Sequence, residues 1–417
     1  MGPAARRASV GTARGRANAV GLAVSLCLVA AWPTPGAASG LAGDWGGVRT
    51  RLAERGVALR AEVTGFATGL LEGTGESGAD GLGRWDAHAD VDFGKLGLAE
   101  GLSLNVHAEG RVGTAPFSYG GQLWPANTGA VVPLGGRSAA ATSIHLRMPL
   151  GERSTLLLGK INALDLLAAD PVLGGLGTRR FAHLAFAAPP SGVVPPTIMG
   201  GVLVRRGAPW SWTTMVFDPG DRTRNYGFGG LFSTGVNLGV TGTWSGDVSG
   251  RRSSLSLNAT GSTRRGADLG DLLAPPGFVT EPRKGSFNLS AQFAHRLPGG
   301  DGRKDQGLDL AVKVAIADGN PNPIRSALLL GLVGRGLVAG RPGDEFGLGG
   351  FFYDLSDVLQ DTIAPLLDVD DEAGLEAWYG IALGPDARLS AHLQLVDPAR
   401  GASEVAWIGG LRLNLRL

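Results

Sequence analysis

The sequence predicts an all-β protein, a transmembrane antiparallel β-barrel of about 16 strands with long constricting loops and a short N-terminal helix. Three observations lead to this prediction. From residue 57 onward, short segments of alternating apolar and polar residues are separated by Gly, Pro, Asp and Ser clusters, as in strands joined by turns. The N-terminus resembles an export signal. The composition, with 69 glycines, 18% charged residues and a mean hydropathy of +0.09, suits a protein that is apolar on one side and solvated on the other.

Residues 1–38 are interpreted as a signal peptide. An apolar run at 19–32 is followed by small residues at 36–39, which offer a cleavage site. The basic residues before the run are Arg6, Arg7, Arg14 and Arg16. An uncleaved anchor helix is the less favoured alternative, because the run is shorter than the span of about 20 residues that a bilayer requires.

Removal of this peptide changes both the charge and the cysteine content. Four arginines leave with it, so the mature chain carries 34 basic and 37 acidic side chains, a net charge of −3. No nucleic-acid-binding footprint is visible. Cys27 is the only cysteine and lies inside the signal, so the mature chain has no thiol and no disulfide. A closed, hydrogen-bonded barrel supplies stability without them.

The next segment, 39–56, is predicted to be periplasmic and to contain a short helix. Asp44 is placed to cap it, and the helix would run through Val48 and Leu52 to Gly56. Residues 57–417 are predicted to form the barrel.

The strand pattern is clearest between residues 102 and 111, where Leu, Val and Ala occupy every second position and polar or charged residues lie between them. The pattern recurs at 57–64, 85–93, 254–260, 287–293 and 411–417. A soluble sandwich also alternates in this way. The number of segments, the export signal and the lack of a linker favour a transmembrane barrel, whose apolar face meets lipid and whose polar face lines the lumen.

Three stretches are too irregular for strands and too long for tight turns: 114–140, 163–195 and 264–284. They are rich in proline, which disrupts strand ladders. They are predicted to be long loops, some of them folded into the barrel or over its mouth.

Residues 43–49 (GDWGGVR), followed by Leu52 and Gly56, resemble the opening signature of the carbohydrate-selective porins of the OprB type. Later stretches are similar to the same family in the same order. They are 127–129, 158–162 with Asp165, 317–321, 336–349, 376–379, and 393–394 with 397–398. The resemblance covers residues 43–417. One departure is the last residue, Leu417, because such barrels commonly end in Phe.

The resemblance implies a sixteen-stranded barrel in the outer membrane of a Gram-negative bacterium, with loops that constrict the lumen. It implies facilitated diffusion of monosaccharides and similar small solutes. A general or small-acid diffusion porin, and a secreted soluble sugar-binding β protein, are the alternatives. The expected partners are sugars and outer-membrane lipid, and a homotrimer, a monomer and a cooperating periplasmic sugar-binding protein all stay open.

A passage that favours sugars needs hydrogen-bond donors and acceptors, together with an aromatic platform for the apolar face of the ring. The charged pore-lining candidates all lie on predicted polar faces; they are Arg60, Glu62, His107, Glu109, Arg111 and Lys313. Glu109 with Arg111 is the favoured pair, since a guanidinium and a carboxylate hold each other in place. The alternative is that these residues are generic, solvated lumen lining.

Trp124, in a long loop, and Trp378, on the polar face of its strand, are the candidate platforms for stacking. The alternative for any tryptophan is a girdle at the lipid headgroups. Five tryptophans fit that girdle better: Trp85, Trp210, Trp212, Trp244 and Trp407.

No enzymatic activity, cofactor or metal is predicted. The sequence lacks a phosphate-binding loop, a His-Glu-x-x-His motif and a Gly-x-Ser-x-Gly elbow, so a barrel-embedded lipid hydrolase is a weak rival. The acidic residues between Asp368 and Glu372 are interpreted as a surface loop rather than a calcium site, because their spacing does not match an EF-hand.

Overall fold

The computed structural model describes residues 40–113, 116, 118–133, 138–187, 193–266, 268–275, 283–299 and 306–417. The proposed signal peptide, 1–38, lies outside the described residues. Sixteen antiparallel strands form one closed barrel, in which each strand pairs with the next and β16 pairs with β1. Among the described residues, no helix has the length and apolar character needed to cross a bilayer. The predicted fold class is confirmed.

The strands are β1 Val57–Glu72, β2 Gly78–Asp92, β3 Ser103–Gly113, β4 Ala139–Leu150, β5 Ser154–Asn162, β6 Thr197–Arg205, β7 Trp210–Phe217, β8 Asn237–Val248, β9 Arg251–Gly266, β10 Arg283–Leu297, β11 Gly307–Ala317, β12 Ile324–Arg335, β13 Glu345–Leu355, β14 Glu372–Ala382, β15 Ala387–Asp397 and β16 Ala406–Arg416. The helices are α1 Val48–Glu54, α2 Thr128–Val131, α3 Ala163–Ala168, α4 Leu184–Ala187 and α5 Asp357–Ile363. A 3-10 turn spans Leu269–Asp271.

The N-terminal helix α1 forms as predicted, but its cap differs. The N-cap is Gly47, and Asp44 acts from three residues earlier, its Oδ1 accepting the backbone N–H of Thr50 at 2.8 Å. Asp44 therefore accepts one of the backbone N–H groups that the first turn of a helix leaves without a partner, although it lies three residues before the N-cap. Gly56, with φ 94°, ends the segment, and a Cβ there would lie 2.8 Å from the carbonyl oxygen of Asp92.

The two ends of the barrel differ in the length of their connections. At one end the hairpins are short, as between β8 and β9 or between β14 and β15. At the other end the connections between β3 and β4, between β5 and β6 and between β7 and β8 are long. Outer-membrane barrels have short periplasmic turns and longer extracellular loops, so the short end, where the chain also enters and leaves the barrel, is periplasmic.

The loop after β5 identifies the inside of the barrel. Its residues 163–187, here named the second inward segment, contact strands on all sides of the ring: Glu62 on β1, His107 on β3, Gln292 on β10 and Glu376 on β14. Only the lumen adjoins all these strands. The side chains that it contacts therefore face inward, and every second residue along each strand faces the lumen with them.

The alternating faces predicted from the sequence have the expected orientation. On β16, Leu411 faces away from the lumen and is 55% exposed to the surrounding lipid, whereas Arg412 faces inward and is 1% exposed. Residues 118–133 of the loop after β3, here named the first inward segment, also pack inside: Tyr119 donates to the carbonyl oxygen of Thr68 at 3.0 Å. The constricting loops are thus confirmed.

The predicted loop 264–284 was too long, because β9 continues to Gly266 and β10 begins at Arg283. The backbone ladder continues to these ends, with Arg283 opposite Gly266 and Lys284 opposite Arg265. The polar residues at both ends of the predicted loop therefore belong to β9 and β10, at the rim of the barrel.

A charge introduced on the outer face should disrupt the barrel far more than one introduced in the lumen. We expect Leu411→Arg to cost about 2 to 4 kcal/mol of folding free energy, because lipid cannot solvate the guanidinium. Ser290→Arg, at a half-exposed inward position of β10, is the matched control. Refolding yield measured by the mobility of unheated samples on gels tests this, and equal losses for both variants would contradict the assignment of the two faces.

Candidate functional site

A buried group of charged residues joins β2, β3 and the second inward segment; we call it the central cluster. Arg84 donates through Nε and Nη2 to the two carboxylate oxygens of Asp86, at 2.8 and 2.7 Å. Its Nη2 also lies 2.5 Å from Oε2 of Glu109. The amide of Asn162, at the end of β5, donates to the other oxygen of Glu109 at 3.2 Å. One guanidinium therefore links two inward carboxylates on adjacent strands.

His107 extends the central cluster to helix α3. Its Nδ1 lies 2.8 Å from Oδ2 of Asp165 and its Nε2 lies 3.0 Å from Oδ1 of Asp86. Carboxylates only accept, so both ring nitrogens donate in the imidazolium form. Burial opposes ionisation of Asp165, but the facing charge of His107 outweighs it and lowers the pKa of that carboxyl group. The pair ties the first turn of α3 to the barrel wall.

Three groups of the central cluster offer metal-ligand geometry. Atoms of Asp86, His107 and Glu109 all lie within 4.8 Å of one another. Each of these residues already has a partner in the protein: the two carboxylates bind the Arg84 guanidinium, and His107 binds Asp86 and Asp165. The arrangement is explained as an ion-pair network.

Another part of the wall holds the second inward segment through one carboxylate. Oε1 and Oε2 of Glu376 accept the backbone N–H groups of Ala182 and His183, at 2.6 and 2.9 Å. The side-chain amide of Gln394 donates to Glu376 at 3.2 Å and to the carbonyl oxygen of Ala126 at 2.8 Å. Both inward segments are therefore attached to adjacent residues of β14 and β15.

Arg412 of β16, two strands from Glu376, binds the same segment. Its Nη1 donates to the carbonyl oxygens of Gly177 and Arg180 at 2.7 and 2.9 Å. Farther round the ring, Arg179 forms an ion pair with Glu62 of β1 at 2.6 Å. The second inward segment is consequently fixed at several points of the wall and crosses the lumen.

The lumen-facing side of β12 to β14 is apolar where the segments rest on it. Phe181 and Phe186 stack with ring centres 4.3 Å apart, and Phe181 meets Trp378 edge-on at 6.0 Å. Gly349 of β13 makes room for them, since a Cβ there would lie 2.6 Å from the ring of Phe186. Part of the inward wall thus serves as a packing surface for loops rather than as pore lining.

A row of charged side chains lines the lumen near the periplasmic end of the barrel. Each of five strands contributes one charged residue to this row. Asp309 of β11 lies between Arg296 and Arg335, with N–O distances of 2.6 and 2.7 Å. Glu345 of β13 lies 3.6 Å from both Arg335 and Arg388. We call these five alternating residues the charged belt. They are partly exposed, in contrast to the central cluster.

The candidates predicted from the sequence divide between these environments. Arg60 faces the lumen, is 31% exposed and pairs with Asp90 at 2.8 Å. Glu62 pairs with Arg179, and Lys313 is half-buried opposite Gln292 on the inward face of β11. These three are accessible from the lumen.

The remaining charged candidates hold structure together. His107 and Glu109 are each 2% exposed, inside the central cluster. The favoured pair of Glu109 with Arg111 does not form: Glu109 binds Arg84, and Arg111 donates to the carbonyl oxygen of Val131 at 2.8 Å. Glu109 and Arg111 are successive inward residues of one strand, but Glu109 binds a neighbour across the ladder and Arg111 binds the first inward segment.

The two candidate platforms differ in accessibility. Trp378 faces inward as predicted but is 3% exposed, beneath Phe181. Trp124 packs edge-on against Tyr353 at 6.1 Å. Of the predicted girdle, Trp210, Trp212 and Trp407 are exposed and face away from the lumen.

Several residues of the site were not among the pore-lining candidates predicted from the sequence, although Asp165 and Glu376 lie in stretches that resemble the family. They are Arg84, Asp165, Arg179, Asp309, Arg335, Glu345, Glu376, Arg388 and Arg412. Most lie on the polar faces of alternating segments, so the periodicity did contain a signal for them. The periodicity does not identify the residue that each of these side chains contacts on another strand or on a loop.

Comparisons with known proteins agree with this geometry. The family model described as "Carbohydrate-selective porin, OprB family" matches residues 76–417. The chain is similar to the high-pH structure of OprB from Pseudomonas putida, with 18% identity and a TM-score of 0.78, covering 91% of this chain and 98% of that chain. No curated protein matches the chain.

Two further solved structures show the same fold. The low-pH structure of Pseudomonas putida OprB has 15% identity and a TM-score of 0.58, covering 91% of this chain and 100% of that chain. A loop L8 deletion mutant of OmpT, an outer membrane protein of Vibrio cholerae, has 11% identity and a TM-score of 0.51, covering 87% and 99%.

Proposed function

We propose a route for sugars through the lumen, from the premise that the chain belongs to the OprB family of carbohydrate-selective porins. The protein is a porin of the Gram-negative outer membrane, and carbohydrates cross it by facilitated diffusion through the barrel. The route begins where the inward segments narrow the lumen and continues along the charged wall on their periplasmic side.

The partly exposed ion pairs carry this proposal. A monosaccharide is an uncharged polyol that loses water when it enters a narrow passage, so the wall must replace those hydrogen bonds. The charged belt and the Arg60–Asp90 pair offer guanidinium donors and carboxylate acceptors, already neutralised by each other. Such groups bind hydroxyls weakly without trapping a counter-ion, which suits rapid transit.

Size selection is assigned to the inward segments rather than to the belt. The second inward segment is anchored on two separate parts of the wall by His107 and Glu376, which stiffens the constriction. Arg60, Glu62 and Lys313 are proposed as sugar-contacting residues, whereas His107 and Glu109 are proposed to position α3 and the strand wall.

Export through the signal peptide 1–38 is proposed with this function, as is the division into a periplasmic segment, 39–56, and a barrel, 57–417. The homotrimer or monomer and the cooperating periplasmic binding protein stay predictions, and so does the lack of enzymatic activity.

Planar-bilayer recordings test the route. We expect the full chain to give discrete conductance steps that glucose reduces, and Arg60→Ala to weaken the block by about 2- to 10-fold, the loss of one or two hydrogen bonds to a charged group that is partly solvated. Arg55→Ala, at an exposed position just after α1, is the control. Folded protein without sugar-sensitive conductance would refute the function, whereas an unchanged block in Arg60→Ala would remove only the route past Arg60.

A further inference from the structure

Two inward-facing arginines near the periplasmic mouth stand apart from the ion pairs described above. Arg147 lies on β4, opposite Ser103 of β3, with the same orientation as His145. Arg206 directly follows β6 and continues the inward series of Val202 and Val204. Only β5 separates the two, and each guanidinium is within range of the other's charge.

Neither guanidinium has a carboxylate partner within the described part of the chain. The Nε atoms of both Arg147 and Arg206 are buried and lack a hydrogen-bond partner there. The negative charge of Asp90 acts on Arg147, but the two oxygens of Asp90 already accept hydrogen bonds from Arg60 and Asn105, each at 2.8 Å. Both arginines are half-buried, so part of each side chain stays accessible.

This arrangement is costly without a ligand. Two like charges act on each other in a partly desolvated wall, and the Nε–H group of each arginine is unused. Elsewhere on the described periplasmic wall, the charged belt neutralises its arginines with Asp or Glu. A mobile anion that passes through the lumen would relieve both the repulsion and the unmet hydrogen bonds. Guanidinium groups bind planar oxyanions with two parallel N–H donors.

We propose that Arg147 and Arg206 form a binding site for the carboxylate of sugar acids, so that the porin passes aldonate-type sugars as well as neutral ones. This inference rests on the proposed function and names an additional solute class for it. The hydroxyls of such a solute would meet the same Arg60–Asp90 wall that serves neutral sugars, while its carboxylate would lie between the two guanidinium groups. The site is on the periplasmic side of the constriction, where a bound anion draws its sugar through the narrow part.

Competition for ion current tests the site. Gluconate should block the wild-type channel at lower concentration than glucose, and the double variant Arg147→Gln/Arg206→Gln should weaken the gluconate block about tenfold, the loss expected for charge-assisted hydrogen bonds at a half-exposed site. Its glucose block should stay within about twofold of the wild-type value, a free-energy change well below 1 kcal/mol. Arg153→Gln, an exposed position on the same periplasmic rim, controls for the general loss of positive charge.

Inorganic phosphate provides the second arm of the experiment. If phosphate competes with gluconate in the wild type and loses that effect in the double variant, the site recognises oxyanions in general; if it does not compete, the sugar portion contributes. An equal effect of Arg153→Gln, or a gluconate block unchanged in the double variant, would overturn the site. A channel blocked by glucose but not by gluconate overturns this inference alone, whereas a channel insensitive to both overturns the proposed function. Normal heat-dependent gel mobility of each variant shows that it has folded.

Discussion

Glu376→Ala is expected to open the constriction. This single carboxylate accepts two backbone N–H groups of the second inward segment and the amide that also binds the first. Hydrogen bonds to a charged acceptor contribute about 1.5 to 3 kcal/mol each, so their loss detaches the second inward segment from β14 and leaves the Gln394 amide, which holds the first segment, without its second acceptor. The removal also takes away a negative charge that acts on Arg412, which binds the same segment.

We expect single-channel conductance to rise at least about twofold, and sugars larger than a disaccharide to enter, because pore diameter sets both quantities. Liposome swelling with a series of maltose oligomers measures the size limit. Leu375→Ala, the adjacent residue on the lipid-facing side of β14, is the control and should leave conductance unchanged. An unaltered size limit in a folded Glu376→Ala barrel would show that other contacts hold the segments.

Arg84→Ala should have the largest effect on stability. The guanidinium is 3% exposed and lies between Asp86 and Glu109, so its removal leaves two inward carboxylates close together in a buried site. Breaking a buried pair in this way costs about 3 to 5 kcal/mol. By comparison, Arg60→Ala removes a half-exposed pair and should cost about 0 to 1 kcal/mol.

Urea unfolding followed by tryptophan fluorescence, with refolding in detergent micelles, compares the two variants. Arg84→Lys separates charge from geometry: lysine restores the positive charge but cannot donate to both carboxylates in the same plane, so we expect partial recovery. Similar midpoints for the wild type and Arg84→Ala would mean that the carboxylates find other compensation, and the central cluster would lose its structural role.

The two predictions concern charged residues that have a structural role inside the lumen, whereas other charged residues there are accessible to solute. Deeply buried charges, such as Arg84 and Glu376, hold the wall and the inward segments in place. Partly exposed charges, such as Arg60 and those of the charged belt, remain accessible to solute. Burial therefore separates two roles that residue type alone leaves mixed.

The polar faces of the site were predictable because a strand has a period of two and a closed barrel has only two environments. Arg60, Glu62 and Lys313 were found in this way, and all three face the lumen. The partner of Glu109 was not predictable. Arg84 is 25 residues from Glu109 along the chain. The register of β2 with β3 places Arg84 opposite Arg111, the inward residue next to Glu109, so the guanidinium reaches Glu109 diagonally across the ladder.

Tryptophans show the same limit. Trp378 was correctly placed on the inward face, yet its ring is covered by Phe181, which is almost 200 positions earlier in the chain. A local pattern determines the direction in which a side chain points. What fills the space in front of it depends on a loop from elsewhere.

By itself the sequence determined the architecture of this protein: a signal-like start, sixteen alternating segments and long irregular loops at one end, which only a closed barrel between lipid and water accommodates. The tertiary structure alone decided which inward residues are accessible to solute and which are buried under the inward segments. The physical reason is that alternation is a short-range property of the backbone, whereas ion pairs such as Arg179 with Glu62 join residues that meet only after the barrel closes and the loop crosses it.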